Sequence, residues 1–145
     1  MRSVYKWWAA IIFLAVVVQV GFAGYGAFSA AHAADGGVVS EDKFSDGFGP
    51  HAALGYLIVL GTLLGFLIAL AARVGRRRVL LSLGLFGLLI VQVLLAWFGF
   101  EVPAIGFFHP INALLIVGLA GWIASTAWHG DAAPVADPER PAATA

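Results

Sequence analysis

The sequence has no cysteine and few charged residues, which make up only 11% of the chain. Without thiols it can form neither a disulfide bond nor a thiolate-held metal or iron–sulfur centre. It also lacks a basic stripe with interleaved aromatic residues, so nothing in it indicates nucleic-acid binding. Hydrophobic residues make up 61% of the chain, which is far from the balance of a soluble globular protein. With 145 residues it forms one domain at most.

The sequence contains four long apolar stretches with almost no charged residue. Each is about 20 residues long and, at roughly 1.5 Å of rise per residue, can cross a hydrocarbon layer roughly 30 Å thick as a helix. The short connections favour helices that run alternately up and down. The sequence therefore predicts an all-α fold, an integral membrane up-down four-helix bundle over residues 1–129, with spans at 7–28, 51–72, 79–100 and 108–128. Residues 130–145, rich in alanine and proline with mixed charges, are expected to form a disordered cytoplasmic tail.

Positive charge is concentrated on one side of these spans. Arg2 and Lys6 precede the first span, and four arginines lie at 73–78 between the second and third. The loops on the other side carry five acidic residues, and Lys43 is their only strong base. By the positive-inside rule, both termini and the arginine link face the cytoplasm.

The N-terminus also allows a second interpretation, as a cleavable signal peptide. Basic residues, an apolar run and Ala31-His32-Ala33 resemble such a peptide with its cleavage site. The apolar run of about 20 residues is, however, longer than the roughly 7–15 that are usual. It also contains Gln19, which has a counterpart in the third span, so we expect the first span to be retained.

The connections carry the main signals for helix ends. Residues 29–50 are rich in glycine and small polar residues and are expected to have little regular structure. Gly49-Pro50 should mark the start of the second helix, since proline is well tolerated in a helix's first turn. The fourth helix has two alternative starts, at Pro110 or near Pro103 with a kink, because a proline disfavours α geometry in the residue before it.

The two halves of the sequence repeat each other. Gln19 lies in the pattern Val-Gln-Val-x-x-Ala-x-Tyr-Gly, and Gln92 lies in Val-Gln-Val-x-x-Ala-x-Phe-Gly. His51 and His109 each open an apolar run in which Leu-Ile-Val falls six to eight residues later. Two hairpins of the same orientation place the second and fourth spans on a diagonal of the bundle. We therefore expect the two histidines at similar depth on opposite sides of the bundle axis, near the outer face.

A paired histidine has a different meaning from a single one. Singly, each is more often an interfacial residue bonded to a loop carbonyl. As a pair, they are ionisable groups at the edge of membrane spans, which are costly and tend to be functional. Imidazole is a good axial ligand for haem iron, whereas two histidines alone make a poor zinc site. His51 and His109 are thus the predicted metal ligands, while His32 and His129, which have no counterpart in the repeat, are expected to be solvated.

Four further residues are candidates for binding a cofactor at this site. Gln19 and Gln92 have two alternative roles. Each amide either forms a hydrogen bond between helices, or donates to an imidazole or to the edge of a bound ligand and so fixes its orientation. Gly55 belongs to a small-residue face of the second span, which allows either close helix packing or space for a flat ligand. Asn112, three residues after His109, is a candidate near the outer end of the same space.

These elements resemble an uncharacterised bacterial family of small four-span proteins, known as domain of unknown function 6220. The resemblance rests on Gln19 with the following Ala-Gly-Tyr-Gly, on His51-x-x-x-Gly55 and on His109-Pro-x-Asn, and it covers about residues 5–128. It implies a multi-pass protein of the bacterial cytoplasmic membrane. No activity is attached to that family.

More distantly, the chain resembles one half of heme A synthase, where histidines on the second and fourth spans hold haem b. The resemblance implies that His51 and His109 are the axial pair. The catalytic half of that enzyme has a glutamate just before its second-span histidine, whereas Gly47-Phe48-Gly49-Pro50 precedes His51 here. Oxygenation of a haem methyl group is therefore not expected, and the chain is not a complete heme A synthase.

The leading hypothesis is one bis-histidine haem b near the outer face, used for electron transfer or redox sensing because both axial positions are filled. Its partners would be the lipid bilayer and a redox protein or another membrane subunit. The alternative is a cofactor-free structural or accessory subunit, in which the Gly61-x-x-x-Gly65 face packs against a partner. A proton carrier is disfavoured, because no acidic residue lies within any span.

Overall fold

The computed structural model describes residues 1–34 and 37–130, and this part of the chain is almost entirely helical. Its helices are α1 (Arg2–Ala33), α2 (Glu41–Ala71), α3 (Arg76–Glu101), the single turn α4 (Pro103–Gly106) and α5 (Phe108–His129). The four predicted spans overlap α1, α2, α3 and α5, and the most apolar windows of Arg2–Ala33, Glu41–Ala71, Arg76–Glu101 and Pro103–His129 have mean hydropathies of 2.1, 2.4, 2.6 and 1.7. The all-α prediction is confirmed.

Apolar side chains on the outside of the bundle show the environment of these helices. Only 17% to 22% of each apolar window is buried inside the protein. Leu60 and Leu114, for example, are 64% and 73% exposed. Such a surface is unfavourable in water, at roughly 25 cal/mol per Å² of apolar area, and favourable in hydrocarbon. The chain is a multi-pass membrane protein.

The long helices form a ring. Helix α1 packs against α2 and α5, and α3 packs against the same two helices. Among the described residues, α2 and α5 make no direct backbone approach to each other, so they lie on a diagonal, as predicted. We name the two ends of the bundle by their residues: the arginine end holds Met1, the 72–75 link and Gly130, and the histidine end holds the 34–40 connection and α4.

The faces of α2 and α5 that carry the two histidines point into the bundle along its length. On α2 this face buries Ile58, Thr62 and Ala69, and on α5 it buries Ile116 and Ala120. Residues three or four apart share one side of a helix, which explains why one periodic set of side chains forms the core.

Helix α2 begins at Glu41, so the prediction of a start at Gly49-Pro50 was wrong. The Ser40 hydroxyl accepts a hydrogen bond from the Lys43 amide at 3.4 Å, and acidic residues in the first turn suit the positive end of the helix dipole. Pro50 lies inside the helix, where it cannot donate to the preceding turn. The irregular loop expected at 29–50 is therefore much shorter, because α1 continues to Ala33.

The last span follows one of the two alternatives from the sequence, a start near Pro103 with a break, since one span-length stretch runs from Pro103 to His129. Pro103 opens the single turn α4, and α5 begins separately at Phe108. Pro110 is then the third residue of α5, a position whose amide has no helical acceptor in any case. His109 is consequently helical although it precedes a proline.

The chain beyond α5 was predicted to be a disordered tail at 130–145. Helix α5 ends at His129 and is followed by Gly130, which has a positive φ of 79°. The rest of the tail lies outside the described residues, and its disorder stays a prediction.

Candidate functional site

His51 and His109 come together inside the histidine end of the bundle. His51 follows Pro50 in α2, and His109 is the second residue of α5. The centroids of the two imidazole rings are 6.3 Å apart, and the ring planes are inclined at 58°. Both residues are partly buried. The two copies of the repeat thus bring one imidazole each to the same place, across the predicted diagonal.

Each imidazole is held by the backbone of the neighbouring helix in its own hairpin. The Nδ1 atom of His51 lies 3.1 Å from the carbonyl oxygen of Gln19, and Nδ1 of His109 lies 3.1 Å from that of Gln92. A carbonyl oxygen can only accept, so each Nδ1 carries the proton and donates it. In the neutral ring, Nε2 then keeps its lone pair, which is the arrangement of a metal-ligating histidine with an outer hydrogen bond.

Two ways of joining the rings through their Nε2 atoms, a direct hydrogen bond and a shared metal ion, require different separations of the ring centroids. A direct hydrogen bond between facing nitrogens about 2.9 Å apart, with roughly 1.1 Å from each nitrogen to its ring centroid, gives a centroid separation of about 5.1 Å. One metal ion bonded to both nitrogens at roughly 2.0–2.1 Å gives about 6.3 Å. The observed 6.3 Å is too long for a direct bond, and it equals the separation for a shared metal ion only when the ion and both nitrogens lie in line between the rings.

The two glutamine side chains bind helices together. Gln19 Nε2 donates to the backbone carbonyl of His51 at 2.7 Å. In the second hairpin, Asn112 Nδ2 donates to Gln92 Oε1 at 2.7 Å and to the Leu88 carbonyl at 3.0 Å. Neither amide contacts an imidazole nitrogen. Of the two alternatives from the sequence, the contacts show the interhelical one, and Asn112 belongs to the same clamp.

Because Gly55 has no side chain, the Gln19 side chain packs directly against the α2 backbone there. A Cβ atom at Gly55 would lie 3.0 Å from Gln19 Nε2, which is closer than ordinary packing allows. Further along α2, Gly65 packs in the same way against the indole of Trp8, at 3.1 Å. These glycines therefore serve close helix packing, and the space that they leave is filled by α1 side chains.

The face at Gly61-x-x-x-Gly65 is also covered within the chain. Trp8 Nε1 donates to the Gly61 carbonyl at 2.8 Å, and a Cβ at Gly61 would lie 2.7 Å from a methyl carbon of Ile12. The expectation that this face packs against a partner protein was wrong, because α1 occupies it.

Each hairpin contains one close glycine contact that was not predicted from the sequence. In the first hairpin, a Cβ at Gly26 would lie 2.6 Å from the Phe48 ring. In the second, a Cβ at Gly99 would lie 2.7 Å from the Cα atom of Gly106. Gly26 and Gly99 occupy equivalent places in the repeat, seven residues after each glutamine. The Tyr-Gly pair of the first copy of the repeat and the Phe-Gly pair of the second could have indicated these contacts.

An aromatic cover over His51 was also missed, because it lies in the segment expected to be a loop. The Phe48 ring meets the His51 ring edge to face at 6.3 Å, and Phe44 packs on Phe48 at 4.7 Å. Phe100, on α3, contacts Phe44 at 6.1 Å. These contacts form a continuous row of aromatic rings from Phe100 to His51.

Within the described part of the chain, no third His, Cys, Asp or Glu side chain joins the pair in a group that could hold a metal ion. His32, Lys43 and His129 are exposed. A metal at this site would therefore have to bring its other ligands with it.

Comparison with known proteins identifies the family but no activity. The model of a family of unknown function (DUF6220) matches residues 19–99, which is more than half of the chain, and the protein belongs to that family. No curated protein and no solved structure matches the chain. The likeness to one half of heme A synthase is thus not supported by these comparisons.

Proposed function

We propose that this family member binds one haem b between His51 and His109 and uses it for electron transfer or redox sensing. The observation that carries the proposal is the 6.3 Å separation of two imidazoles whose Nδ1 atoms are both held by backbone carbonyls. Two anchored rings with free Nε2 lone pairs at this spacing suit the two axial positions of one iron.

The donor set supports a haem over a bare ion. Two imidazoles leave a bare zinc ion short of the three or four protein ligands that it needs, whereas a haem supplies four nitrogen ligands of its own. When bound, it supplies a one-electron iron couple. With both axial positions taken by histidine, electron transfer is favoured over oxygen chemistry.

The chain's own residues would have distinct tasks around this group. The Gln19 and Gln92 carbonyls orient the rings by accepting from their Nδ1 atoms. Phe48 and Phe44 would keep water away from the His51 ring. Lys43 is the cation nearest to His51 in sequence on that side and would pair with the carboxylates of the haem. By the positive-inside rule, the arginines favour an orientation in a bacterial cytoplasmic membrane with the histidine end outside and both termini in the cytoplasm.

The test is the optical spectrum of the full-length protein purified from haem-replete cells. We expect a reduced-minus-oxidised spectrum of low-spin haem b, lost in His51→Ala and in His109→Ala while both variants remain monodisperse. His32→Ala and His129→Ala, which remove exposed histidines, are the matched controls and should keep the spectrum. Loss of the spectrum in the controls, or its survival in either pair variant, would contradict the assignment.

A cofactor-free accessory subunit is the second candidate function. It is favoured by the amide contacts, since Gln19, Gln92 and Asn112 all hold helices together and contact no imidazole nitrogen. In that case the two Nδ1 bonds serve only to fix the helices, and the purified protein is colourless. The same spectrum therefore decides between the two.

A further inference from the structure

A groove between α2 and α3 opens on the lipid-facing surface of the bundle. It has a volume of about 250 Å³ and is lined by six apolar or aromatic side chains: Tyr56, Val59, Ile90, Val93, Leu94 and Trp97. Four of the six are between 40% and 58% exposed. Because α2 and α3 are both long and apolar enough to cross the membrane, a ligand would enter this α2–α3 groove from the bilayer.

The α2–α3 groove lies close to both histidine anchors. Val93 directly follows Gln92, whose carbonyl oxygen lies 3.1 Å from His109 Nδ1. On the other wall, Tyr56 and Val59 lie five and eight residues after His51 in α2. At 1.5 Å of rise per residue, these positions are roughly 8 and 12 Å further along the helix axis. The groove therefore begins about one and a half turns below the histidine pair, on the outside of the same two helices.

The walls of the groove limit what can occupy it. None of the lining residues is charged, and an unpaired charge is costly inside the membrane. The volume is slightly below the roughly 300–1,000 Å³ of pockets for drug-sized ligands, so the groove suits a molecule with one small ring system. The rings of Tyr56 and Trp97 favour a flat aromatic or quinonoid partner. Acyl chains bind through apolar area alone, which the whole outer surface of the bundle offers.

The proposed function adds a further requirement. A haem held by two histidines exchanges one electron at a time and needs a donor or acceptor within reach. Isoprenoid quinones are redox carriers that are dissolved in the bilayer, and each has an uncharged flat ring on an apolar tail. They combine the chemistry that the haem requires with the shape and polarity that the groove accepts.

We propose that the α2–α3 groove binds the ring of an isoprenoid quinol, which is the electron donor for the histidine pair's haem. The electron-transfer part rests on the proposed function, whereas binding in the groove does not. The quinol loses two electrons and two protons and becomes a quinone. Two ferric irons, one in each of two protein molecules, gain one electron each, and the protons pass to water.

Photo-crosslinking of the full-length protein in neutral detergent with a short-chain azido-ubiquinone tests the binding, with the labelled residues identified by mass spectrometry. We expect labelling within residues 56–59 and 90–97. Leu94→Trp, which fills the groove, should reduce the labelling at least about fivefold. Leu114→Trp is the matched control, since Leu114 is a lipid-facing leucine of α5 that does not line the groove, and it should change the labelling less than about twofold. Unlabelled short-chain ubiquinone should compete, and phosphatidylcholine should not.

The electron transfer is tested by anaerobic mixing of the oxidised haem protein with a short-chain ubiquinol. We expect two haems to be reduced for each quinol consumed, and the rate at limiting quinol to fall at least about fivefold in Leu94→Trp but not in Leu114→Trp. If Leu94→Trp does not fold, Trp97→Leu, which removes one aromatic ring from the groove, should reduce both readouts about two- to tenfold.

Four outcomes would overturn the proposal. They are labelling outside the groove, an equal loss in Leu114→Trp, equal competition by phosphatidylcholine, and a haem that the quinol does not reduce. Labelling of the groove in a protein that contains no haem would contradict the proposed function instead, and would leave the groove as a quinone-binding site.

Discussion

The hairpin α1–α2 and the hairpin formed by α3 and α5 hold their histidines in the same way and use their amides differently. In both, a histidine Nδ1 donates to a glutamine backbone carbonyl at 3.1 Å. The Gln19 side chain then binds the backbone of its neighbour, whereas the Gln92 side chain accepts from Asn112. The equivalent of Asn112 in the first hairpin is Leu54. The shared feature is therefore the orientation of the imidazoles, and the surrounding contacts have diverged.

The divergence leaves one polar atom of the first hairpin without a partner. Gln19 Oε1 is buried and accepts no hydrogen bond, and Leu54, at the sequence position equivalent to Asn112, has no side-chain donor. Leaving a buried acceptor unpaired costs on the order of 1–3 kcal/mol. The first hairpin is thus less completely satisfied than the second, and substitutions should reveal the difference.

The largest difference should appear at the equivalent glycines above the histidines. Gly99→Ala places a methyl group against backbone at Gly106 and should lower the free energy of unfolding by about 1–3 kcal/mol. Gly26→Ala should cost less, since the obstacle there is the Phe48 side chain, which can move. Thermal unfolding in detergent, followed by tryptophan fluorescence, measures both.

Gly84 provides the control for these two variants. It is exposed in α3 and has no atom within 4 Å of an added Cβ. Gly84→Ala should be neutral or stabilising by up to about 1 kcal/mol, because alanine favours the helix. Equal destabilisation at all three positions would show that Gly26 and Gly99 are not needed for close packing at these contacts.

A smaller difference is expected between the amide clamps. Asn112→Leu removes both of its bonds and leaves Gln92 Oε1 without this donor, which should cost about 1–2 kcal/mol. Gln19→Leu removes one bond together with the unpaired Oε1 and should stay within about 0.5 kcal/mol of the original chain. The same unfolding measurement applies, and a Gln19 variant that is the less stable of the two would reverse our comparison.

The smallest effect is the coupling between positions 19 and 54. Leu54→Asn introduces a donor for Gln19 Oε1, in imitation of the second hairpin, while it gives up apolar packing. A double-mutant cycle with Gln19→Ala should yield a favourable coupling of about 0.6 kcal/mol, which is typical of interhelical hydrogen bonds in membranes. A coupling near zero would mean that Leu54 does not occupy the place of Asn112.

The architecture and the meeting of His51 with His109 could be predicted because both depend on coarse properties of the chain. Apolar stretches long enough to cross a membrane define the helices, and the repeat with short links puts α2 and α5 on a diagonal. Helical periodicity then selects the inward face. None of these inferences needs to know which atoms touch.

The amide contacts and the start of α2 could not be predicted because they depend on local detail. Whether Gln19 reaches an imidazole or the His51 backbone is decided by a shift between helices of less than one turn. The glycines between 37 and 50 favoured a loop, but Ser40 caps the helix, and the half-buried, mutually packed Phe44 and Phe48 stabilise the added turns of α2. Gly55 could not be assigned without knowing that Gln19 crosses it.

The most direct test of the central claim is electron paramagnetic resonance of the oxidised, full-length protein, combined with chemical determination of its haem content. Our account predicts one haem b per chain with the low-spin ferric signal of two imidazole ligands, and loss of that signal in both His51→Ala and His109→Ala. A protein without haem, or with a high-spin signal from a single axial ligand, would contradict it.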